Sequence, residues 1–188
     1  MLINKKFIKK INNQKIYLIS FQNKNNYSIE YYNYGGYIKS IKIPHNENKN
    51  TYEDVILGYK NFRGFVNDKS YMNCIVGRVA NRISNSSFIL NKKEYKISSN
   101  ISPHHLHGGK KGFNKKIWKI DFLKKTKKEL SCKLNYLSKD KEEGFPGNLN
   151  CSTTYILNDE NEFSILFNAT TDQDTLVNFT NHNYWNFH

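Results

Sequence analysis

The sequence predicts an all-β sandwich or barrel, and three observations carry that prediction. Short runs of alternating apolar and polar residues recur between turn signals along the chain. Tyrosine (13) and phenylalanine (12) dominate a 14% aromatic fraction, and both suit pleated, half-buried surfaces. No segment keeps a helical period for more than about two turns, which disfavours βαβ architectures.

Taken in order, "KIYLISF" (15–21) reads as the first strand, and "YSIEYYNYGGYIKSIKI" (27–43) as two strands separated by Gly35-Gly36. "SFILNKKEYKI" (87–97) has the form of a hairpin turning at Asn91-Lys92-Lys93. "KIWKIDFL" (116–123) and "LSCKLNYL" (130–137) are expected to pair across the lysine-rich segment between them. "LNCSTTYIL" and "EFSILFNAT" flank the turn "NDEN", and Phe163, Ile165 and Phe167 should share one face, because strand side chains alternate.

At 188 residues the chain fits one domain, long enough to bury a sizeable core. Its net charge of +13 raises the question of nucleic acid or an anionic membrane. The lysines fall in scattered runs such as "NKKFIKKI", "LNKKEYK" and "LKKTKKE", mostly at strand edges and turns, where lysine blunts exposed sheet edges. We therefore read a solvated surface, with neither nucleic acid nor membrane as partner. Cys74, Cys132 and Cys151 contain no C-x-x-C pair and read as buried, reduced side chains. No apolar run has signal-peptide or membrane-span length, which makes the cytoplasm the default location.

Four segments concentrate function-capable side chains. In "GRVANRI" (77–83), Gly77 and Arg78 hint at a phosphate loop, but neither phosphate-binding glycine motif is present; Asn81 and Arg82 could instead offer donors to a hydroxyl-rich ligand, or simply hold a loop. "PHHLHGG" (103–109) carries His104, His105 and His107, which invite a metal reading. No Asp, Glu or Cys stands beside them, so a histidine presenting one ring nitrogen to a ligand is preferred, with no metal. "DKEEGFPGNL" (140–149) sets Glu142 and Glu143 in a Gly/Pro turn and reads as structural. "NFTNHNYWNF" (178–187) places His182 among amides and aromatic rings, the side chains a sugar site needs, and imidazole can supply a proton near neutrality. A satisfied structural histidine is the competing reading.

Together and in this order, the run "VILGYKNFRGFVNDKSYMNCIVGRVANRISNSSFILNKKEYKI" with "HLHGGKKGFNKKIW", "DKEEGFPGNL" and "VNFTNHNYWNF" resembles the aldose 1-epimerase (galactose mutarotase) family. The resemblance extends from about residue 30 onward, as the run of matching motifs shows. It implies a galactose mutarotase-like β-supersandwich and a cofactor-free enzyme interconverting the α and β anomers of hexoses such as galactose and glucose. His182, in the T-N-H motif, takes the place of the general acid toward the ring oxygen. Asn81, Arg82 and His107 fall on substrate-contacting positions, with Asn183 and Tyr184 beside the acid. Asn183 stands where the family usually has serine, and Trp185 where it has phenylalanine.

The resemblance also implies that residues 1–188 are the N-terminal portion of a single domain. The family's glutamate base and a substrate-contacting aspartate lie C-terminal to the T-N-H motif, and no glutamate of this chain falls on the base position. The expectation is then an incomplete sandwich with impaired turnover, open sheet edges and a need for a complementing C-terminal fragment, as from a truncated or split gene or an incomplete record. Two alternatives accompany it: a non-catalytic sugar-binding remnant, and a hexose-6-phosphate 1-epimerase whose surplus lysines would suit a phosphate.

Overall fold

Fifteen strands, one short α-helix and three single-turn 3₁₀ helices make up a computed structural model that describes residues 1–45 and 51–187. The first sheet runs β1 (Leu2–Ile11), β2 (Gln14–Gln22), β3 (Ser28–Tyr32), β4 (Ile38–Pro44) and β5 (Tyr52–Asp54), antiparallel throughout. After α1 (Phe62–Asn67) come β6 (Ile75–Val76), β7 (Arg82–Ile83), the hairpin β8 (Ser87–Leu90) and β9 (Lys93–Lys96), and β10 (His105–Leu106). A second antiparallel sheet joins β11 (Lys119–Lys125), β12 (Glu129–Ser138), β13 (Leu149–Asn158) and β14 (Phe163–Thr171), and β15 (Thr180–Asn181) follows.

The two large sheets face each other across one core, as the alternation of their side chains requires. Ile19, Phe21, Ile29, Tyr31 and Ile41 come from the first; Leu130, Cys132, Leu134, Cys151, Tyr155 and Leu157 come from the second. Tyr31 and Tyr155 stack at 4.2 Å, and the Tyr155 hydroxyl donates to the Gly36 carbonyl at 2.8 Å. Burying each such side chain is worth about 1.5–3 kcal/mol, so the core lies where the apolar strand faces predict. Phe163, Ile165 and Phe167 pack against it from β14. The three cysteines are buried free thiols, and burial raises the pKa of each.

Two elements were not legible in advance. β1 is an exposed edge strand in which lysine pairs and a register shift between Phe7 and Lys9 disrupt the period of two. Its link to β2 is the pair Asn12-Asn13, both at positive φ (47° and 61°), a two-residue hairpin turn that asparagine accommodates well. α1 is six residues, capped by the Asn61 side chain on the Gly64 N–H, and too short for a helical period to register. The β8–β9 turn is one residue tighter than expected: Leu90 pairs with Lys93, leaving Asn91-Lys92 at the corner. Lys5, Lys6, Lys9 and Lys10 are all exposed on the β1 edge, and no described helix is long and apolar enough to cross a membrane.

Candidate active site

The "GRVANRI" and "HLHGG" segments meet because β7 pairs with β10, setting Arg82 opposite Leu106 and Ile83 opposite His105. Just outside this two-residue ladder, Asn81 and His107 both turn to positive φ (65° and 52°), which carries their side chains off the sheet pattern. They bind each other twice. The His107 N–H donates to the Asn81 carbonyl at 3.0 Å, and the Asn81 N–H donates to His107 Nδ1, also at 3.0 Å. A backbone donor on Nδ1 makes that nitrogen an acceptor, so the neutral ring carries its proton on Nε2. Gly108 packs the loop against the strand: a Cβ there would lie 1.7 Å from the Gly77 carbonyl oxygen, at φ +88°.

His182 arrives from the other side. β15 pairs with β6, and the His182 N–H continues that contact to the Cys74 carbonyl at 3.0 Å. Its imidazole meets His107 edge-on, with ring centroids 5.2 Å apart, and lies nearly parallel to Tyr184 at 5.3 Å. Tyr71 packs on the far side of His107 at 4.7 Å. Four rings, Tyr71, His107, His182 and Tyr184, thus form a continuous series, closed where the Tyr184 hydroxyl donates to the Ser70 carbonyl at 3.1 Å. Burial, His182 and Arg82 together lower the His107 pKa from 6.5 to about 4, so this ring is neutral at physiological pH. A neutral ring with Nε2–H is a hydrogen-bond donor for a hydroxyl ligand. Arg82 and Asn81 are exposed beside it, the guanidinium 3.4 Å from the Asn81 amide oxygen.

A family model described as aldose 1-epimerase matches residues 17–188. This chain belongs to the aldose 1-epimerase family. The aldose 1-epimerase of Haemophilus influenzae is 38% identical over 174 residues, 90% of this chain and 47% of that protein. Bovine galactose mutarotase is 42% identical over 135 residues, 71% of this chain and 37% of its own. Among solved structures, an aldose epimerase homologue from C. elegans superposes with a TM-score of 0.80 at 29% identity, covering 97% of this chain and 51% of that one. A galactose 1-epimerase from Lactobacillus acidophilus superposes at 0.88 over 98% of this chain and 53% of its own; at 22% identity this likeness concerns the fold. The chain therefore spans about half the length of the curated relatives it matches.

Within this aldose 1-epimerase fold, Asn81, Arg82, His107, His182 and Tyr184 converge, and Asn183 does not. His182 and Tyr184 stack on each other, whereas Asn183 between them lines a cavity of about 340 Å³ with Phe163, Ile165 and Trp185. The other two histidines of "PHHLHGG" serve the fold: His104 Nδ1 accepts from the Asn85 N–H, and fully buried His105 lies 2.7 Å from the Ser98 carbonyl through Nδ1. Among the described residues no group of three His, Cys, Asp or Glu side chains is arranged to hold a metal ion.

The carboxylates of "DKEEGFPGNL" are likewise engaged. Glu142 pairs with Lys116 at 2.8 Å and accepts from the hydroxyls of Tyr136 and Ser138. Glu143 accepts from the N–H groups of Lys110 and Lys111 and from the Ser98 hydroxyl. Tyr71, Asn73 and Asn100 were missed in sequence. Asn100 accepts from the Leu106 N–H and donates to the Tyr71 hydroxyl and the Leu106 and Gly109 carbonyls, tying Tyr71 to the histidine loop. A lone asparagine in a loop carries no sequence signal for such a role.

Proposed function

We propose that this chain carries the sugar-contacting and proton-donating part of an aldose 1-epimerase site for free hexoses such as galactose and glucose. The observation that carries the proposal is the direct contact of His107 and His182, with Asn81, Arg82 and Tyr184 around them. In this reading His182 protonates the pyranose ring oxygen as the C1–O5 bond breaks. A general base removes the proton of the C1 hydroxyl, leaving an open-chain aldehyde. Rotation about C1–C2 presents the other carbonyl face, and the same groups run the steps in reverse. His107, neutral and donating through Nε2, with the Asn81 amide and the Arg82 guanidinium, holds hydroxyls of the sugar. No cofactor enters the scheme.

The base is proposed to come from polypeptide outside these residues. Glu142 and Glu143 are committed to the hydrogen bonds described above, and the matched relatives are about twice as long. A C-terminal stretch bearing that base, such as a complementing fragment, would supply it, and β14, which among the described residues has β13 as its one neighbour in the sheet, offers such a stretch an edge. Three buried reduced thiols are in keeping with a cytoplasmic setting.

Sugar binding without turnover is the second reading, favoured by the same engaged carboxylates. Polarimetry on α-D-galactose and α-D-glucose separates the two. Positioned acid–base groups contribute about 10²–10⁴-fold each, so the chain alone should stay near the spontaneous rate and accelerate only with a base-bearing partner. His182→Ala should then abolish the gain. Full catalysis by the chain alone would refute the missing base, and activity surviving His182→Ala would refute the assigned acid.

A further inference from the structure

The asparagine side chains flanking His182 give it no hydrogen-bonded anchor. In Asn181 both amide atoms, and in Asn183 the amide oxygen, are buried without a hydrogen-bond partner. The β6–β15 ladder ends at Asn181 opposite Ile75. From residue 182 onward the backbone is held by isolated contacts, among them His182 N–H to the Cys74 carbonyl and Asn186 N–H to the Val55 carbonyl, and Asn73 bonds it on both sides of Asn183. Asn73 is fully buried, at φ +62°, and all its polar groups are used. Its N–H donates to the His182 carbonyl at 2.8 Å, and its side-chain oxygen accepts from the Tyr184 N–H at 2.9 Å. The side-chain nitrogen donates to the Leu57 carbonyl, and the Asn73 carbonyl accepts from the Ile38 N–H at 2.9 Å. Leu57 closes the circuit by donating its own N–H to the Tyr184 carbonyl at 2.9 Å.

We propose that Asn73 is the positioning residue of the site: its side chain extends the ladder by one rung past β15 and sets the His182 ring against His107. The side chain stands in for a strand's peptide group, offering one acceptor and one donor between Leu57 and Tyr184. A carboxamide is the side chain that presents both, and asparagine is among the residues that tolerate a left-handed backbone. The inference rests on the proposed role of His182 for its catalytic meaning, and on the hydrogen bonds alone for its structural content.

Asn73→Gly is the informative variant in the 188-residue chain, because glycine adopts φ +62° freely and only the side-chain bonds are lost. Amide exchange should accelerate at least about tenfold at Tyr184 while the Val76 and Thr180 amides keep their protection. The nuclear Overhauser contact between the His107 and His182 rings should weaken or vanish. Asn73→Asp, which keeps the acceptor and loses the donor, should retain protection at Tyr184. In a preparation complemented for activity, Asn73→Gly should lower kcat with little change in KM. Unchanged Tyr184 exchange together with an intact ring–ring contact would overturn the proposal. So would equal loss of protection across the β6–β15 ladder in both variants, which would make Asn73 a general fold determinant. Absence of mutarotation in every preparation would count against the epimerase reading and leave the exchange result standing.

Discussion

Replacing Arg78 with lysine should destabilise the protein substantially while keeping the charge. Arg78 is 2% exposed and makes six hydrogen bonds: Nε to the Ser138 hydroxyl, Nη1 to the Pro146 carbonyl and Thr175 hydroxyl, Nη2 to the carbonyls of Ser138, Lys139 and Gly147. The Ser138 hydroxyl in turn donates to Glu142 at 2.7 Å. An ammonium offers three donors from one point where a guanidinium offers five in a fork, so at least three of these bonds fail. Hydroxyls can find other partners, but one or two buried carbonyls cannot, at about 1–3 kcal/mol each. The expected loss is about 2–4 kcal/mol, a large part of a typical domain's ~5–15 kcal/mol. With a urea m-value of about 2 kcal/mol/M, the unfolding midpoint should fall by about 1–2 M. A phosphate-loop arginine would behave differently, since lysine serves a phosphate as a point charge and the fold would be indifferent. A midpoint shift below about 0.3 M would refute the structural assignment.

Further expectations follow from the same geometry. His107 titrates near 4 in the folded protein against 6.5 for the free side chain, so the unfolded chain takes up the proton first as pH falls. Its contribution to stability should be complete above pH 6.5 and lost between about 6.5 and 4, a slope that urea midpoints measured against pH would show and that His107→Asn should flatten. Gly108→Ala combines a forbidden backbone with a Cβ 1.7 Å from the Gly77 oxygen, and should cost on the order of 3 kcal/mol or more; a melting temperature equal to the parent's would contradict that packing. Leu166 is 50% exposed on edge strand β14, and Trp185 and Phe187 are 48% and 73% exposed. Sedimentation velocity should reveal concentration-dependent self-association, reduced by Leu166→Lys.

The sequence alone determined the all-β class and most of the strands, because a strand with one buried face writes its period of two into the chain. β13 and β14 show this: polar "NDEN" marks the turn, and Phe163, Ile165 and Phe167 mark the inner face. It also exposed the segments that build the site, since histidines, amides and aromatics are conspicuous among strand residues. What it could not determine was which of these side chains meet. That depends on two-residue ladders such as β7–β10 and β6–β15, whose partners stand 24 and 106 residues apart at Arg82–Leu106 and Ile75–Asn181 and leave no local pattern. Only the tertiary structure turned Asn183 away from His182, gave Arg78 and Glu143 to the loops, and placed Asn73 under the histidine, because each is a property of distant backbone groups brought into hydrogen-bonding range.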